Sequence, residues 1–148
     1  MLATAPSSCT KLNDRPPTSI LEVDGFGKGD ATMTATFVLG DAGGRMTTAD
    51  GTVRVTIFEL QRAWAPAAGV WTERSVPLFT TLHNVHRSDF AEVRDPADDG
   101  RPRTILYSLG VLHYTDFDHR PTTTQGLVQV AFHTTDGRVL KGEDRFNF

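Results

Sequence analysis

Residues 52 to 60 read Thr-Val-Arg-Val-Thr-Ile-Phe-Glu-Leu, so that Val53, Val55 and Ile57 alternate with Arg54, Thr56 and Phe58 directly after the turn pair Asp50-Gly51. Successive side chains of an extended strand point to opposite faces, and an apolar period of two marks a strand that is buried on one face and wet on the other. The same alternation recurs at residues 31 to 39 and 127 to 134, and almost no segment carries a helical period. Strands of this kind must bury their apolar faces against another sheet. The expected fold is therefore all-β, an antiparallel immunoglobulin-like β-sandwich of seven to nine strands, with a small closed barrel as the architectural rival.

Turn residues divide the chain further. Residues 1–17 are polar, contain Pro6, Pro16 and Pro17, show neither period, and read as a flexible N-terminal arm; residues 18–148 then form a single domain. A first strand is expected at residues 20 to 24 with Leu21 and Val23 inward, followed by a turn in Gly25-Phe26-Gly27-Lys28-Gly29-Asp30. The next strand, residues 32 to 39, places Met33, Ala35, Phe37 and Leu39 on its dry face. After the strand at 52 to 60, residues 61 to 69 read as a loop and 70 to 81 as a strand that Pro77 confines to an edge or a bulge. Residues 83 to 99 are irregular, with a short strand or one helical turn at 88 to 93 and Ser88 as its N-cap. Ile105, Tyr107, Leu109 and Val111 then continue in register across Gly110, and a closing hairpin turns at residues 135 to 138 with Val128, Val130 and Phe132 inward.

Composition removes whole classes of function. A chain of 148 residues needs one core only. Its net charge of −3 lacks the basic stripe that gives nucleic-acid affinity, so no nucleic-acid partner is expected. No run approaches the roughly 18 apolar residues of a membrane span, so no transmembrane segment is expected. One cysteine, Cys9, allows no intrachain disulfide.

Two stretches carry a resemblance. Residues 40 to 59, Gly-Asp-Ala-Gly-Gly-Arg-Met-Thr-Thr-Ala-Asp-Gly-Thr-Val-Arg-Val-Thr-Ile-Phe-Glu, and residues 128 to 140, Val-Gln-Val-Ala-Phe-His-Thr-Thr-Asp-Gly-Arg-Val-Leu, resemble the strand-turn-strand phrasing of fibronectin type III or immunoglobulin-like modules in prokaryotic cell-surface proteins and lipoproteins. The Cys-Trp-Cys core of antibody domains is absent. The resemblance implies a binding, spacer or assembly unit. The sequence around Cys9, Ala5-Pro-Ser-Ser-Cys9 followed by Thr-Lys-Leu-Asn-Asp, is similar to the junction after a bacterial lipoprotein signal, although Pro6-Ser7-Ser8 departs from the usual small-residue motif. It makes Cys9 a candidate lipidation site; an ordinary terminus with a free thiol is the alternative.

Chemistry-bearing residues are sparse. Trp64 and Trp71 flank Ala65-Pro-Ala-Ala-Gly-Val70, and as a hairpin tip they would display rigid aromatic area to a carbohydrate or protein partner; the alternative is that they fold back over the sandwich as core. Asp95, Asp98 and Asp99 are candidate Ca2+ ligands, against simple pairing with Arg94, Arg101 and Arg103; no other cofactor is expected. His83, His86 and Asp89, and His113, Asp116, Asp118 and His119, have no zinc spacing and read as surface or hydrogen-bonded loop residues. No nucleophile elbow or phosphate-binding glycine loop is present, and the chain is not expected to be an enzyme. The expected role is that of a non-enzymatic extracytoplasmic or cell-surface module, structural, adhesive or surface-assembling, that meets a protein partner or its own copies through edge strands or the N-terminal arm. A Ca2+- or carbohydrate-binding domain is the alternative, and a metal-dependent hydrolase a remote one.

Overall fold

The computed structural model describes residues 12–93 and 103–148; Cys9, Asp95, Asp98 and Asp99 lie outside them. Among the described residues nine strands follow one another: β1 (Pro17–Lys28), β2 (Thr32–Asp41), β3 (Met46–Thr47), β4 (Gly51–Ala65), β5 (Val70–Val85), β6 (Ala91–Val93), β7 (Thr104–His113), β8 (Gln125–Thr134) and β9 (Val139–Asn147). One sheet runs β1-β2-β7-β6 with β3 also paired to β2, the other runs β5-β4-β8-β9, and the pairings are antiparallel. Among the described residues two short 3-10 turns, Arg87–Asp89 and Tyr114–Asp116, interrupt the strands. Among the described residues no helix is long and apolar enough to cross a membrane.

The β-sandwich core is built by the alternation read in the sequence. Met33, Ala35, Phe37 and Leu39 of β2 meet Val53, Val55 and Ile57 of β4 and Val128, Val130 and Phe132 of β8 in one buried cluster. Phe37 sits at its centre, with ring centroids 5.3 Å from Tyr107 in its own sheet and 6.0 Å from Phe132 in the opposite one. Burial of each such side chain is worth about 1.5–3 kcal/mol.

Departures from the expected inward faces occur at bulges. Ile20 pairs with Leu39 and Glu22 with Val38, so Leu21 is an extra residue that reverses the phase of β1. Ile20 and Val23 therefore face the core, while Leu21, expected inward, is 45% exposed. In β7 the register shifts between Thr34 and Thr36 of its partner, and Gly110 takes the positive φ of 77° that a bulge of this kind needs. Beyond it Leu112 turns inward and Val111, expected to continue the buried row, is 54% exposed. In β5 Ile57 pairs with Phe79 and Phe58 with Pro77, which leaves Leu78 as the extra residue; Pro77 lies on an edge strand beside a bulge, as its missing N–H requires.

The Gly25-to-Asp30 segment is also not the loop that was expected. β1 continues to Lys28, and Gly25 and Gly27 serve close packing against the end of the chain, while Gly29, with a φ of 68°, makes the turn. A Cβ on Gly27 would stand 2.4 Å from the Asn147 carbonyl oxygen, and one on Gly25 would stand 2.9 Å from the Phe146 ring. The Gly25 N–H donates to Asp144 at 3.0 Å, so β1 seals one side of the sandwich along β9. Residues 83 to 93 are more regular than their composition implied. β5 runs through Val85, and the helical turn begins at Arg87 with His86 as its N-cap, the His86 N–H donating to the Asp89 carboxylate at 2.9 Å.

Asn13 to Pro17, placed in the arm by composition, lie against the domain. The Asn13 carbonyl accepts from the N–H and hydroxyl of Thr48 at 2.9 and 2.8 Å, and its amide donates to the buried Asp41 at 2.9 Å. Hydrogen bonds from the Arg45 N–H, the Asn13 amide and the Gly43 N–H hold the Asp41 carboxyl below the usual range.

The substitution Gly27→Ala, which drives a Cβ into backbone, is expected to destabilise the protein by about 1–3 kcal/mol in urea unfolding. Gly43→Ala, whose Cβ would make only an ordinary contact 3.4 Å from Asp41, should stay within about 0.5 kcal/mol of the parent.

Candidate functional site: a projecting two-stranded ribbon

The β4–β8 ladder ends at Glu59 and Gly126, whereas the β4–β5 ladder continues through Leu60–Ser75 to Trp64–Trp71 and Ala65–Val70. The sequence reading of residues 61 to 69 as a loop is thereby corrected: the segment to Ala65 is strand, and only residues 66 to 69 turn. Six residue pairs at about 3.4 Å each make a ribbon of about 20 Å that leaves the four-stranded sheet with no third strand beside it among the described residues.

A lone two-stranded ribbon is marginally stable in water. This one is tethered from its base. Arg74 donates to the Gln61 side chain at 2.8 Å, and Gln61 in turn donates to Glu59 at 3.0 Å. Arg145 of β9 holds Glu73 with two hydrogen bonds, of 2.6 and 3.1 Å, which keep the Glu73 carboxyl low and the Arg145 guanidinium high. At the tip, the Ala65 carbonyl accepts from the N–H groups of Ala68 and Gly69 at 3.1 and 2.9 Å.

Glu59 is the junction of these contacts. It occupies the inward phase of β4, after Val53, Val55 and Ile57, and is 0% exposed. Besides Gln61 it accepts from the Thr122 N–H at 2.7 Å, the Thr122 hydroxyl at 3.0 Å and the Thr123 N–H at 3.3 Å. Burial pushes its carboxyl up, and these donors together outweigh that effect and hold it below the ordinary glutamate range. The 114–124 connection that Glu59 anchors also covers the bulge in β5: the Asp118 N–H donates to the Leu78 carbonyl at 2.8 Å, and Phe117 stacks on Phe79 at 5.2 Å.

Trp64 and Trp71 stand opposite each other on one face near the end of the ribbon, 50% and 62% exposed. Their ring centroids are 5.5 Å apart and their planes are inclined by 63°, an edge-to-face pair. The alternative of core burial does not describe them. Their shared face follows from the antiparallel pairing of residues 64 and 71, and the exposed Val70, paired with Ala65, lies on the opposite face of the tip. The sequence reading missed the supporting groups Glu59, Gln61, Arg74, Glu73 and Arg145. One signal was present, an acid at a core position of the strongest strand; the Glu73–Arg145 pair, 72 residues apart, left none.

The histidines do not converge. His83 lies between the Thr81 hydroxyl at 3.0 Å and the Tyr107 hydroxyl at 3.3 Å, and His119 contacts the Arg120 carbonyl at 3.0 Å. Among the described residues no three His, Cys, Asp or Glu side chains are placed to hold a metal ion. A depression on the outer face of the four-stranded sheet is lined by Arg54, Thr56, Gln129, Lys141 and Glu143, within which Gln129 already donates to Glu143 at 3.1 Å.

No protein-family model and no curated protein matches the chain. Among solved structures it is similar to the crystal structure of MtrC from Shewanella baltica OS185, with 9% identity, a TM-score of 0.43, and coverage of 86% of this chain and 22% of that one. The chain thus spans about a fifth of the length of that protein.

Replacing Glu59 with Gln puts an NH2 group against hydrogen-bond donors and is expected to cost about 1–3 kcal/mol in denaturant unfolding. Because the folded carboxyl lies below its unfolded value, the unfolded chain takes up the proton first as pH falls. The stabilisation from Glu59 should be complete above the ordinary glutamate pKa of about 4.3 and disappear as pH falls through the lowered value. A stability-versus-pH profile of Glu59→Gln should be flatter than the parent in that range, and identical slopes would refute the role assigned to this carboxylate.

Proposed function

We propose that the chain is a non-enzymatic interaction module of extracytoplasmic location, adhesive or surface-assembling in role, with the sandwich as scaffold and the β4–β5 ribbon as its docking element. The observation that carries this reading is the position of the tryptophans. Trp64 and Trp71 are the only two in the sequence, and both stand side by side at the far end of the ribbon with half or more of their surface in water. Large rigid aromatics give much contact area at little cost in side-chain entropy and dominate the energetics of interfaces. Placement outside the cytoplasm is supported by the likeness of the Cys9 region to a lipoprotein junction. A carbohydrate ligand is less favoured than a macromolecular surface, because rings inclined by 63° offer no common plane for stacking sugar rings.

Co-sedimentation with washed bacterial cell envelopes tests the reading. The full chain should be retained, and the double variant Trp64→Ala/Trp71→Ala should be retained at least tenfold less while keeping the parent far-ultraviolet spectrum. Equal retention of the two proteins, or none of either, would remove the ribbon as the docking element.

A further inference from the structure

The composition and shape of the ribbon tip identify its partner more narrowly. From Ala63 to Trp71 the chain runs Ala-Trp-Ala-Pro-Ala-Ala-Gly-Val-Trp, nine residues without one charged or hydroxyl-bearing side chain. This apolar surface is convex, the narrow end of a projecting hairpin, and not a flat patch or a groove. A protein partner would have to offer a pocket shaped to receive it. A lipid headgroup layer opens around a wedge, and the amphipathic indole ring partitions to that depth of the bilayer.

Charge is arranged to match. The charged residues behind the tip on the ribbon are Arg62, Glu73 and Arg74, and Glu73 is neutralised by its two hydrogen bonds to Arg145. Arg62 pairs with Glu73 and Arg74 with Gln61, so the two arginines lie on opposite faces of the ribbon. Arg62 stands two residues behind Trp64, about 7 Å along the strand, where headgroup phosphates would lie with the indoles at the interface. The ribbon is thus locally basic in a chain of net charge −3. The turn satisfies part of its own backbone, since the Ala65 carbonyl holds two turn N–H groups and Pro66 has no N–H, while the outward-facing groups of the two strands keep the ribbon at the hydrated headgroup level.

We propose that the ribbon tip is a membrane-interface anchor that seats Trp64, Trp71 and Val70 in the headgroup region of an anionic bilayer, with Arg62 and Arg74 at the phosphate level. This assignment rests on the docking role proposed for the ribbon. The anchor is shallow and peripheral, since only the turn lies beyond the tryptophans. Attraction to the anionic surface adds to apolar insertion, and salt weakens it.

Because the chain has only these two tryptophans, its emission reports on the tip alone. The full chain is titrated with vesicles of phosphatidylglycerol and phosphatidylcholine in equal parts, and with vesicles of phosphatidylcholine alone. The anionic vesicles should shift the emission to shorter wavelength, shield it from acrylamide and carry the chain down on sedimentation, with release at high salt and weaker binding to the neutral vesicles. Arg62→Gln should bind the anionic vesicles about fivefold more weakly with its fold intact. Trp64→Ala/Trp71→Ala, followed by sedimentation, should not bind. Unchanged emission and no sedimentation overturn the lipid assignment. If cell envelopes still retain the chain in a tryptophan-dependent way, the docking reading survives with a protein or glycan as partner; if they do not, both readings fail. An emission shift that follows protein concentration without lipid, and that vesicles do not extend, makes a second copy of the chain the occupant and overturns the anchor.

Discussion

Glu59 is a carboxylate inside a β-sandwich whose partners are hydroxyl, amide and backbone N–H groups rather than a cation. An unpaired charge in that position would be prohibitively unfavourable, and removal of the carboxylate would strand the donors that converge on it. Three parts of the molecule therefore have to be in place together. The strand β4 carries Glu59, the 114–124 connection delivers Thr122 and Thr123, and Gln61 passes the contact on to Arg74 at the foot of the ribbon. The ribbon begins where Glu59 ends the four-stranded part of the ladder, so the same residue closes the sandwich and fixes the base of the projection.

The rest of the scaffold is defined by how β-phase is lost and regained. An uninterrupted alternation would bury Leu21 with Val23 and Val111 with Leu109. One extra residue in β1 and a glycine bulge in β7 reverse the phase instead, so that Ile20 and Leu112 pack inward. A further bulge lies beside Pro77 in the edge strand β5, where the missing N–H and the overlying 114–124 connection both blunt the free edge. On the opposite side, β1 lies against β9 at the distance its glycines permit. Exposed apolar side chains also occur singly elsewhere, as at Phe26, Leu82 and Val111, but at the ribbon tip Trp64, Trp71 and Val70 are exposed together.

Such a division of labour suits a recognition element. In the docking role proposed above, the core would contribute stability while the tip would hold apolar area whose burial waits for a partner. The contacts Glu73–Arg145 and Arg74–Gln61 restrict the ribbon, which on that proposal would lower the ordering entropy lost on association. The Glu73–Arg145 pair also alters the local charge balance, since it leaves Arg62 and Arg74 without an equal number of acids on the ribbon.

Period-two patterning was enough to determine from sequence the all-β class, the inward rows of β2, β4 and β8 and the closing hairpin, because each depends on residues close together along one strand, and the missing N–H of Pro77 restricted it to an edge or a bulge. Trp64 and Trp71 were also legible as a pair flanking an apolar turn. Tertiary structure alone decided which alternations break, since a bulge is a relation between two strands and Leu21 looks no different from Val23 in one dimension. It alone turned an apparent loop into a ribbon, because the ladder beyond Glu59 depends on where β8 stops. The pairing of Glu73 with Arg145 and of Glu59 with Thr122 joins residues more than 60 positions apart, and no local pattern encodes contacts that exist only after the sheets have packed.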